Sequence, residues 1–231
     1  MLRVLSAHVA AAAPARILAI GSSSTEGVGA SAPAQSYPSQ LQSRLRTAWP
    51  DEAVDVVNAG IGGETADETL GRLEGAMRAP AKPALVLWQV GTNDAVRGGD
   101  EAAFRDMLRR GIALVRRAGV DLVLIDQQFF PKIADVARYE RYVRAVSDVG
   151  SAAGVAVFSR YAMMRAWADQ DPALLAGMLS ADSFHMGDRG YDCLAGALSN
   201  TLIDAVEGSA GDAAVARGRK VAPTLAGQRK G

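Results

Sequence analysis

Five short apolar runs stand out along the chain and predict the strands of a sheet. They cover residues 16–20, 53–58, 84–90, 120–126 and 155–159, and each is rich in Val, Ile or Leu. Runs of this length and composition are typical of parallel strands that helices cover on both faces. The first run ends in glycine, where we expect a tight turn at the edge of the sheet.

Segments with apolar residues at helical spacing lie between these runs. The clearest covers residues 103–115 and carries charges on its opposite face. Further helices are predicted around residues 41–49, 69–77, 136–149 and 191–206. Because strands that alternate with helices form right-handed βαβ units, the pattern predicts one α/β domain with a doubly wound parallel sheet over residues 16–206.

Composition excludes several classes of protein. The 231 residues include 25 Lys and Arg and 25 Asp and Glu, and this balance argues against a nucleic-acid partner, which would require a surplus of positive charge. Cys193 is the single cysteine, so neither an internal disulfide nor a cysteine-based metal cluster can form. No apolar run approaches the roughly 20 residues that span a bilayer, so no transmembrane segment is expected.

Both ends of the chain differ from the predicted domain. Residues 1–15 are alanine-rich and interrupted by His8, which favours a short amphipathic helix over the remnant of a leader. Residues 207–231 are rich in Gly, Ala, Arg and Lys, and we expect a disordered basic tail there. These patterns leave the oligomeric state open, and they favour a cytoplasmic location over a periplasmic or secreted one.

Residues suited to acyl transfer follow the predicted strands, at the edge where open α/β sheets bind ligands. Ser23 follows the first run, three glycines follow the second, and Asn93 follows the third. Glycines allow a main-chain N–H to approach a ligand closely, and the asparagine amide could donate to an oxyanion. A plain strand-to-helix turn would use the same residues, and serine would also serve as a helix cap.

Histidine is scarce in this chain, and its scarcity identifies a candidate base. The chain has two histidines, and His8 lies outside the predicted domain, so His185 is the residue that could activate a serine. Asp182 lies three residues earlier, where its carboxylate could orient the imidazole ring. Gln128 and Phe130 follow the fourth strand at the same edge, and we predict that they line the pocket.

Four sequence blocks, at residues 21–27, 58–65, 91–94 and 182–185, resemble the conserved blocks of the SGNH hydrolase superfamily, the GDSL-type esterases and lipases. The resemblance covers residues 16–206. It implies a three-layer α/β/α sandwich of flavodoxin-like type with a five-stranded parallel sheet. It also implies ester hydrolysis through an acyl-serine intermediate, with neither a metal nor an organic cofactor.

The resemblance also implies a role for each candidate residue. It makes Ser23 the nucleophile, His185 the base and Asp182 the partner of the base. The oxyanion donors are then Ser23 itself, Gly63 and Asn93. The chain departs from the family at Ser22 and Ser24, where the family usually has Asp and Leu, so the resemblance does not give the hydrogen bonding of this turn.

The substrate is the least determined part of this interpretation. The segments at the predicted site are mostly small and polar, and no apolar insertion offers a lid, so we expect a short acyl group, such as acetyl, on a small molecule or a carbohydrate. A thioesterase or lysophospholipase of the same superfamily is the alternative activity. A non-catalytic carbohydrate- or nucleotide-binding domain is the alternative of another class. A metal site would have to use acidic residues around His185, namely Asp182, Asp188 and Asp192.

Overall fold

The computed structural model describes residues 2–220, with side chains over residues 2–208. Five strands form one parallel sheet in the order β2-β1-β3-β4-β5. The strands are β1 (Ala15–Gly21), β2 (Val54–Gly60), β3 (Leu85–Gln89), β4 (Asp121–Ile125) and β5 (Ala156–Phe158). Each lies within or overlaps one of the five apolar runs, and the predicted five-stranded parallel sheet is confirmed.

Helices cover both faces of this sheet. They are α1 (Arg3–Ala10), α2 (Ser23–Glu26), α3 (Tyr37–Ala48), α4 (Ala66–Arg78), α5 (Thr92–Arg97), α6 (Glu101–Arg117), α7 (Val136–Ala153), α8 (Arg160–Gln170), α9 (Pro172–Met178) and α10 (Asp188–Lys220). A 3₁₀ turn at Pro33–Gln35 precedes α3. The sequence pattern did not predict α8 and α9, because the apolar residues of these short helices do not form one continuous stripe.

Alternate residues of the central strands point into two separate cores. Leu85 and Leu87 of β3 pack with α3 and α10 on one face, whereas Val86 and Trp88 pack with α4, α6 and α7 on the other. This alternation follows from the period of two along a strand. It explains why the strands read as continuous apolar runs, and it confirms the three-layer arrangement.

The two ends of the domain lie against the first of these cores or extend beyond it. Leu2 and Leu5 place α1 in that core, in the segment for which the sequence left a helix or a leader remnant open. The helix α10 continues to Lys220, so it includes residues 207–220 of the segment for which the sequence predicts a disordered basic tail. Alanine is frequent there, and a helix that has already formed lengthens without a new nucleation step. Residues 221–231 of the predicted tail lie outside the described residues.

None of the helices in residues 2–220 is both long and apolar enough to cross a bilayer.

The strand order determines where a ligand site can form. The chain proceeds from β1 outward to β2 and then crosses back to β3 on the other side of β1. In sheets of this topology, the crevice at the carboxyl ends of β1 and β3 is the usual ligand site. Ser23 follows β1 and Asn93 follows β3, so both candidate residues flank this crevice.

Candidate active site

Ser23 is the first residue of α2, directly after the turn that ends β1. Gly21 is required at that turn, because a β-carbon there would lie 2.5 Å from Thr25 Oγ1. The hydroxyl of Ser23 is partly exposed, whereas Ser22 and Ser24 on either side are buried. Among the three consecutive serines, Ser23 is therefore the one that a substrate can reach.

His185 and Asp182 form a hydrogen-bonded line with Ser23. His185 Nε2 lies 2.9 Å from Ser23 Oγ, and His185 Nδ1 lies 2.6 Å from Asp182 Oδ2. Both distances are within the range of a good hydrogen bond. The structure thus brings together the three residues to which the family resemblance gives the catalytic roles, although 162 positions separate Ser23 from His185.

The carboxylate of Asp182 is held by groups of its own turn. Oδ1 accepts hydrogen bonds from Ser180 Oγ at 2.7 Å and from the backbone N–H groups of Phe184 and His185 at 2.9 Å. Partial burial alone would raise the pKa of Asp182, but the hydrogen bonds from the His185 ring and these donors hold it well below its ordinary value. Asp182 is therefore ionised at neutral pH and can hold the imidazole in one orientation.

A left-handed residue allows this turn to be so tight. Ser183 has a φ of 55°, a conformation that non-glycine residues rarely adopt. The resulting turn lets the Asp182 carboxylate meet both the backbone and the ring of His185. Backbone strain of this kind, on the order of 1–3 kcal/mol, is common at functional sites.

Three N–H groups in the segments around Ser23 are available to bind an oxyanion. The backbone N–H groups of Ser23 and Gly63 donate to no other group in the part of the chain that the structure describes. The Asn93 side chain donates one N–H to the Glu64 carbonyl at 2.8 Å, which leaves the second N–H of the same amide for a ligand. Gly63 has a φ of 82°, which favours glycine at that position.

The loop that follows β2 lies directly against the Ser23 helix. A β-carbon at Gly60 would lie 1.9 Å from the backbone nitrogen of Glu26, so only glycine fits there. A β-carbon at Gly62 would lie 4.0 Å from that of Ser23 and 2.9 Å from a carboxylate oxygen of Glu26. The glycines of this block therefore allow the loop to approach Ser23 closely.

Gln128 and Phe130 contribute to the frame of the site. The sequence predicts that Gln128 lines the pocket, but its side chain is 1% exposed and bridges Ser24 Oγ (2.7 Å) and the Phe184 carbonyl (2.9 Å). The segments of Ser24 and Phe184 lie on either side of this amide, so it does not face an open pocket. Phe130 packs edge-on against Phe184 at 4.7 Å, and Phe184 packs in the same way against the His185 ring.

A glutamine and an arginine that were not predicted from the sequence support the site. Gln89 Oε1 accepts hydrogen bonds from the backbone N–H of Ser22 at 3.0 Å and from Thr25 Oγ1 at 3.1 Å. Arg72 of α4 donates to the backbone at the ends of β1 and β2. A polar residue at the last position of the buried strand β3 was the one available hint of such a role for Gln89.

The acidic residues around His185 do not converge on a metal position. Asp188 accepts hydrogen bonds from the backbone N–H and the hydroxyl of Ser31, and Asp192 pairs with Arg44. Within the described residues, no group of three or more His, Cys, Asp or Glu side chains is arranged to hold a metal ion. The metal alternative therefore finds no support in this geometry.

Comparisons with known proteins identify the family of this chain. Residues 1–208 match the non-GDSL lipase-like family. The chain is 32% identical over 176 residues to the esterase TesA of Pseudomonas aeruginosa, an alignment that covers 75% of this chain and 81% of TesA. It superposes on a crystal structure of TesA with a TM-score of 0.68 at 27% identity, covering 81% of this chain and 97% of the other. A two-domain esterase active on acetylated mannans gives a TM-score of 0.67 over 89% of this chain and 54% of that one, and at 19% identity this likeness concerns the fold alone.

Proposed function

The chain belongs to the non-GDSL lipase-like family and is a serine hydrolase of the SGNH superfamily, and from this premise we propose that it removes short acyl groups from polar alcohols, with Ser23, His185 and Asp182 as its catalytic triad. The expected substrate is an acetyl ester of a carbohydrate or of another small polyhydroxy compound. The observation that carries the proposal is the unbroken hydrogen-bonded line from Ser23 Oγ through the His185 ring to Asp182.

The first half of the reaction transfers the acyl group to the enzyme. Ser23 Oγ attacks the ester carbonyl carbon while His185 Nε2 accepts the hydroxyl proton. The carbonyl oxygen becomes an oxyanion, which the N–H groups of Ser23 and Gly63 and the free N–H of Asn93 stabilise. As the carbon–oxygen ester bond breaks, His185 gives its proton to the departing alcohol, and the acyl group remains on Ser23.

The second half restores the enzyme. Water takes the place of the alcohol, and His185 accepts a proton from it as the water oxygen attacks the acyl carbon. The bond between the acyl carbon and Ser23 Oγ then breaks, His185 returns the proton to Oγ, and the carboxylic acid leaves. Asp182 stays ionised throughout and stabilises the imidazolium that forms in each half. Only a neutral imidazole can accept the serine proton in the first half and the water proton in the second.

A small cleft lined by Phe130 and by residues that follow Asn93 suits a short acyl group. It has a volume of about 280 Å³ and is lined by Ala95, Val96, Phe130, Ile133, Ala134, Asp135, Arg138 and Tyr139. Ala95 and Val96 closely follow Asn93 in the chain, and Phe130 adjoins His185 through the ring of Phe184. The cleft volume lies just below the range of about 300–1,000 Å³ that is typical of ligand pockets, which favours acetyl over a long chain.

A free carboxylate close to the loop after β2 suits a polar alcohol. Glu26 is exposed at the end of α2, and its carboxylate has no hydrogen-bond or ion-pair partner among the described residues. One of its oxygens lies close to Gly62, next to Ser23. A carboxylate accepts hydrogen bonds from sugar hydroxyls and would disfavour an apolar or anionic alcohol.

The test is a panel of esters measured with wild-type enzyme and Ser23→Ala. We expect kcat/KM to fall from p-nitrophenyl acetate to the decanoate, and we expect acetate release from an acetylated mannan oligosaccharide. Ser23→Ala should abolish both activities without changing the folded state seen by circular dichroism. Faster hydrolysis of the decanoate than of the acetate would refute the short-acyl assignment and indicate a long-chain hydrolase. Faster hydrolysis of acyl thioesters than of the corresponding esters would indicate a thioesterase.

A further inference from the structure

One side chain outside the triad contacts the segments that carry two of the three oxyanion donors, Ser23 and Gly63. Arg72 lies in α4, and its guanidinium donates to the Ala59 carbonyl at 2.7 Å and to the Gly21 carbonyl at 3.2 Å. Its Nε also donates to both carboxylate oxygens of Glu64, at 2.9 and 3.0 Å, and Nη2 pairs with the same carboxylate. The exposed fractions of the two side chains are 28% and 13%, so water screens this pair only in part.

The acceptors of Arg72 belong to the segments that surround the nucleophile. Gly21 ends β1 and immediately precedes the Ser22–Ser23 step, and its carbonyl also accepts the N–H of Ile61. Glu64 directly follows Gly63 in the loop after β2. A single guanidinium therefore links the turn that presents Ser23 to the loop that presents Gly63.

The third donor is connected to the same pair. The carbonyl of Glu64 accepts the hydrogen bond from Asn93 Nδ2 at 2.8 Å. Because Arg72 holds the Glu64 side chain, it also limits where this carbonyl, and with it the Asn93 amide, can lie. The N-terminus of α4 is also stabilised, because Thr65 and Glu68 form a capping box at its first turn.

This arrangement requires the geometry of arginine. A planar guanidinium can bind a carboxylate with two N–H groups and still donate to carbonyls on its other side, whereas a lysine ammonium acts as a compact point charge on a flexible stem. Misplacement of catalytic groups by about 1 Å can cost on the order of 10²-fold in rate. A link of this kind is therefore expected to affect turnover more than substrate binding.

We propose that Arg72 is a positioning residue that aligns the oxyanion donors of Ser23, Gly63 and Asn93 through its hydrogen bonds to Gly21, Ala59 and Glu64. It acts through these groups and does not touch the reacting atoms. The inference rests on the proposed function of the same site.

The test compares Arg72→Met and Arg72→Lys with Arg78→Met, a matched loss of charge on the same helix. Arg78 lies on the exposed side of α4 and pairs with Glu74. With p-nitrophenyl acetate, we expect Arg72→Met to lower kcat by about 10–100-fold with KM changed less than twofold. Arg72→Lys should lie between Arg72→Met and wild type, and Arg78→Met should match wild type.

A double-mutant cycle with Asn93→Ala separates alignment from general stability. If Arg72 acts on the oxyanion donors, the loss caused by Arg72→Met should be several-fold smaller in the Asn93→Ala background, because one of the aligned donors is already missing. Equal losses in both backgrounds, or a loss seen only in KM, would overturn the proposal. If Arg72→Met fails to fold, Glu64→Gln, which weakens the pair and keeps the Glu64 carbonyl, takes its place with the same expectations.

Ser23→Ala is measured alongside and keeps the two hypotheses apart. An active Ser23→Ala enzyme would refute the proposed function. An inactive Ser23→Ala enzyme together with full kcat in Arg72→Met would refute only the role of Arg72.

Discussion

The hydroxyl of Ser24 donates a 2.7 Å hydrogen bond to Gln128 Oε1, deep beneath the active site. The same glutamine donates from Nε2 to the carbonyl of Phe184, the residue before His185. One buried amide therefore connects the turn that carries Ser23 to the turn that carries His185. SGNH hydrolases usually have leucine in place of Ser24, and a leucine side chain could not make this link.

Substitution of Ser24 tests this connection. Ser24→Ala leaves Gln128 Oε1 buried without its donor, and we expect the free energy of unfolding to fall by about 1–3 kcal/mol. Ser24→Leu restores the usual family residue, yet we expect it to destabilise the protein further because the bulkier side chain must fit the same buried space. Urea denaturation measures both effects. A Ser24→Leu protein more stable than wild type would show that the hydrogen bond contributes little.

The partly exposed Ser23 between two buried serines leads to a labelling prediction. We expect an organophosphate to modify Ser23 alone, because Ser22 and Ser24 are both hydrogen-bonded to buried glutamines. Peptide mass spectrometry of the labelled protein identifies the modified residue. Ser22→Ala serves as the control and should label at a rate close to that of wild type. A phosphoryl adduct on Ser22 or Ser24 would contradict the assignment.

The features predictable from the sequence are those with a local pattern. The aliphatic runs at β1 and β3 predict strands without reference to the segments that pair with them. The three-residue spacing of Asp182 and His185 likewise predicts a turn that brings the two side chains together. The choice of Ser23 among three serines needed the family resemblance, because their sequence environments are alike. In the structure, their burial distinguishes them.

The supporting contacts could not be predicted, because their partners lie far apart in the chain. Ser22 and Gln89 are 67 positions apart, and Ser24 and Gln128 are 104 apart. A glutamine that follows a strand gives no sign of which loop it will bond, so Gln128 was wrongly predicted to line the pocket. The extension of α10 to Lys220 was missed for another reason, since a glycine-containing basic composition reads as disorder although its alanines permit a helix.

Asn93 offers a test of the oxyanion site that does not depend on the base. We expect Asn93→Ala to lower kcat by about 10²–10³, the usual effect of removing one oxyanion donor, with little change in KM. The Glu64 carbonyl also loses its hydrogen bond, so thermal unfolding must be recorded with the kinetics. Thr92→Ser, a conservative change at the preceding position, is the control. A change confined to KM would indicate that Asn93 binds substrate or shapes the turn.

A second carboxylate, Asp126, predicts a pH dependence of stability that is separate from catalysis. Asp126 follows β4 and is 2% exposed, with its oxygens accepting hydrogen bonds from Ser159 Oγ at 2.7 Å and the Tyr161 N–H at 2.8 Å. Burial raises its pKa from 3.8 to about 6, against the opposing effect of these donors and of the nearby Arg160. The folded protein therefore keeps a proton on Asp126 over a range of pH in which the unfolded chain has already lost it.

The sign of the effect follows from this difference in proton binding. Between pH 4 and 7 the unfolded state releases the Asp126 proton first, so the free energy of unfolding falls as pH rises, by up to about 3 kcal/mol at about 1.4 kcal/mol per pH unit. Asp126→Asn removes this titration and keeps an oxygen for the Tyr161 N–H. We therefore expect the stability of Asp126→Asn relative to wild type to increase steadily over that range in urea denaturation. The pKa of Asp182 is lowered, so its titration changes the free energy of unfolding only below about pH 4. This change is the same in wild type and in Asp126→Asn, and it cancels when their stabilities are subtracted. The control is Asp106→Asn, which removes an exposed carboxylate of α6, and its stability relative to wild type should stay nearly constant over this range. Parallel curves of stability against pH for wild type and Asp126→Asn would contradict the raised pKa.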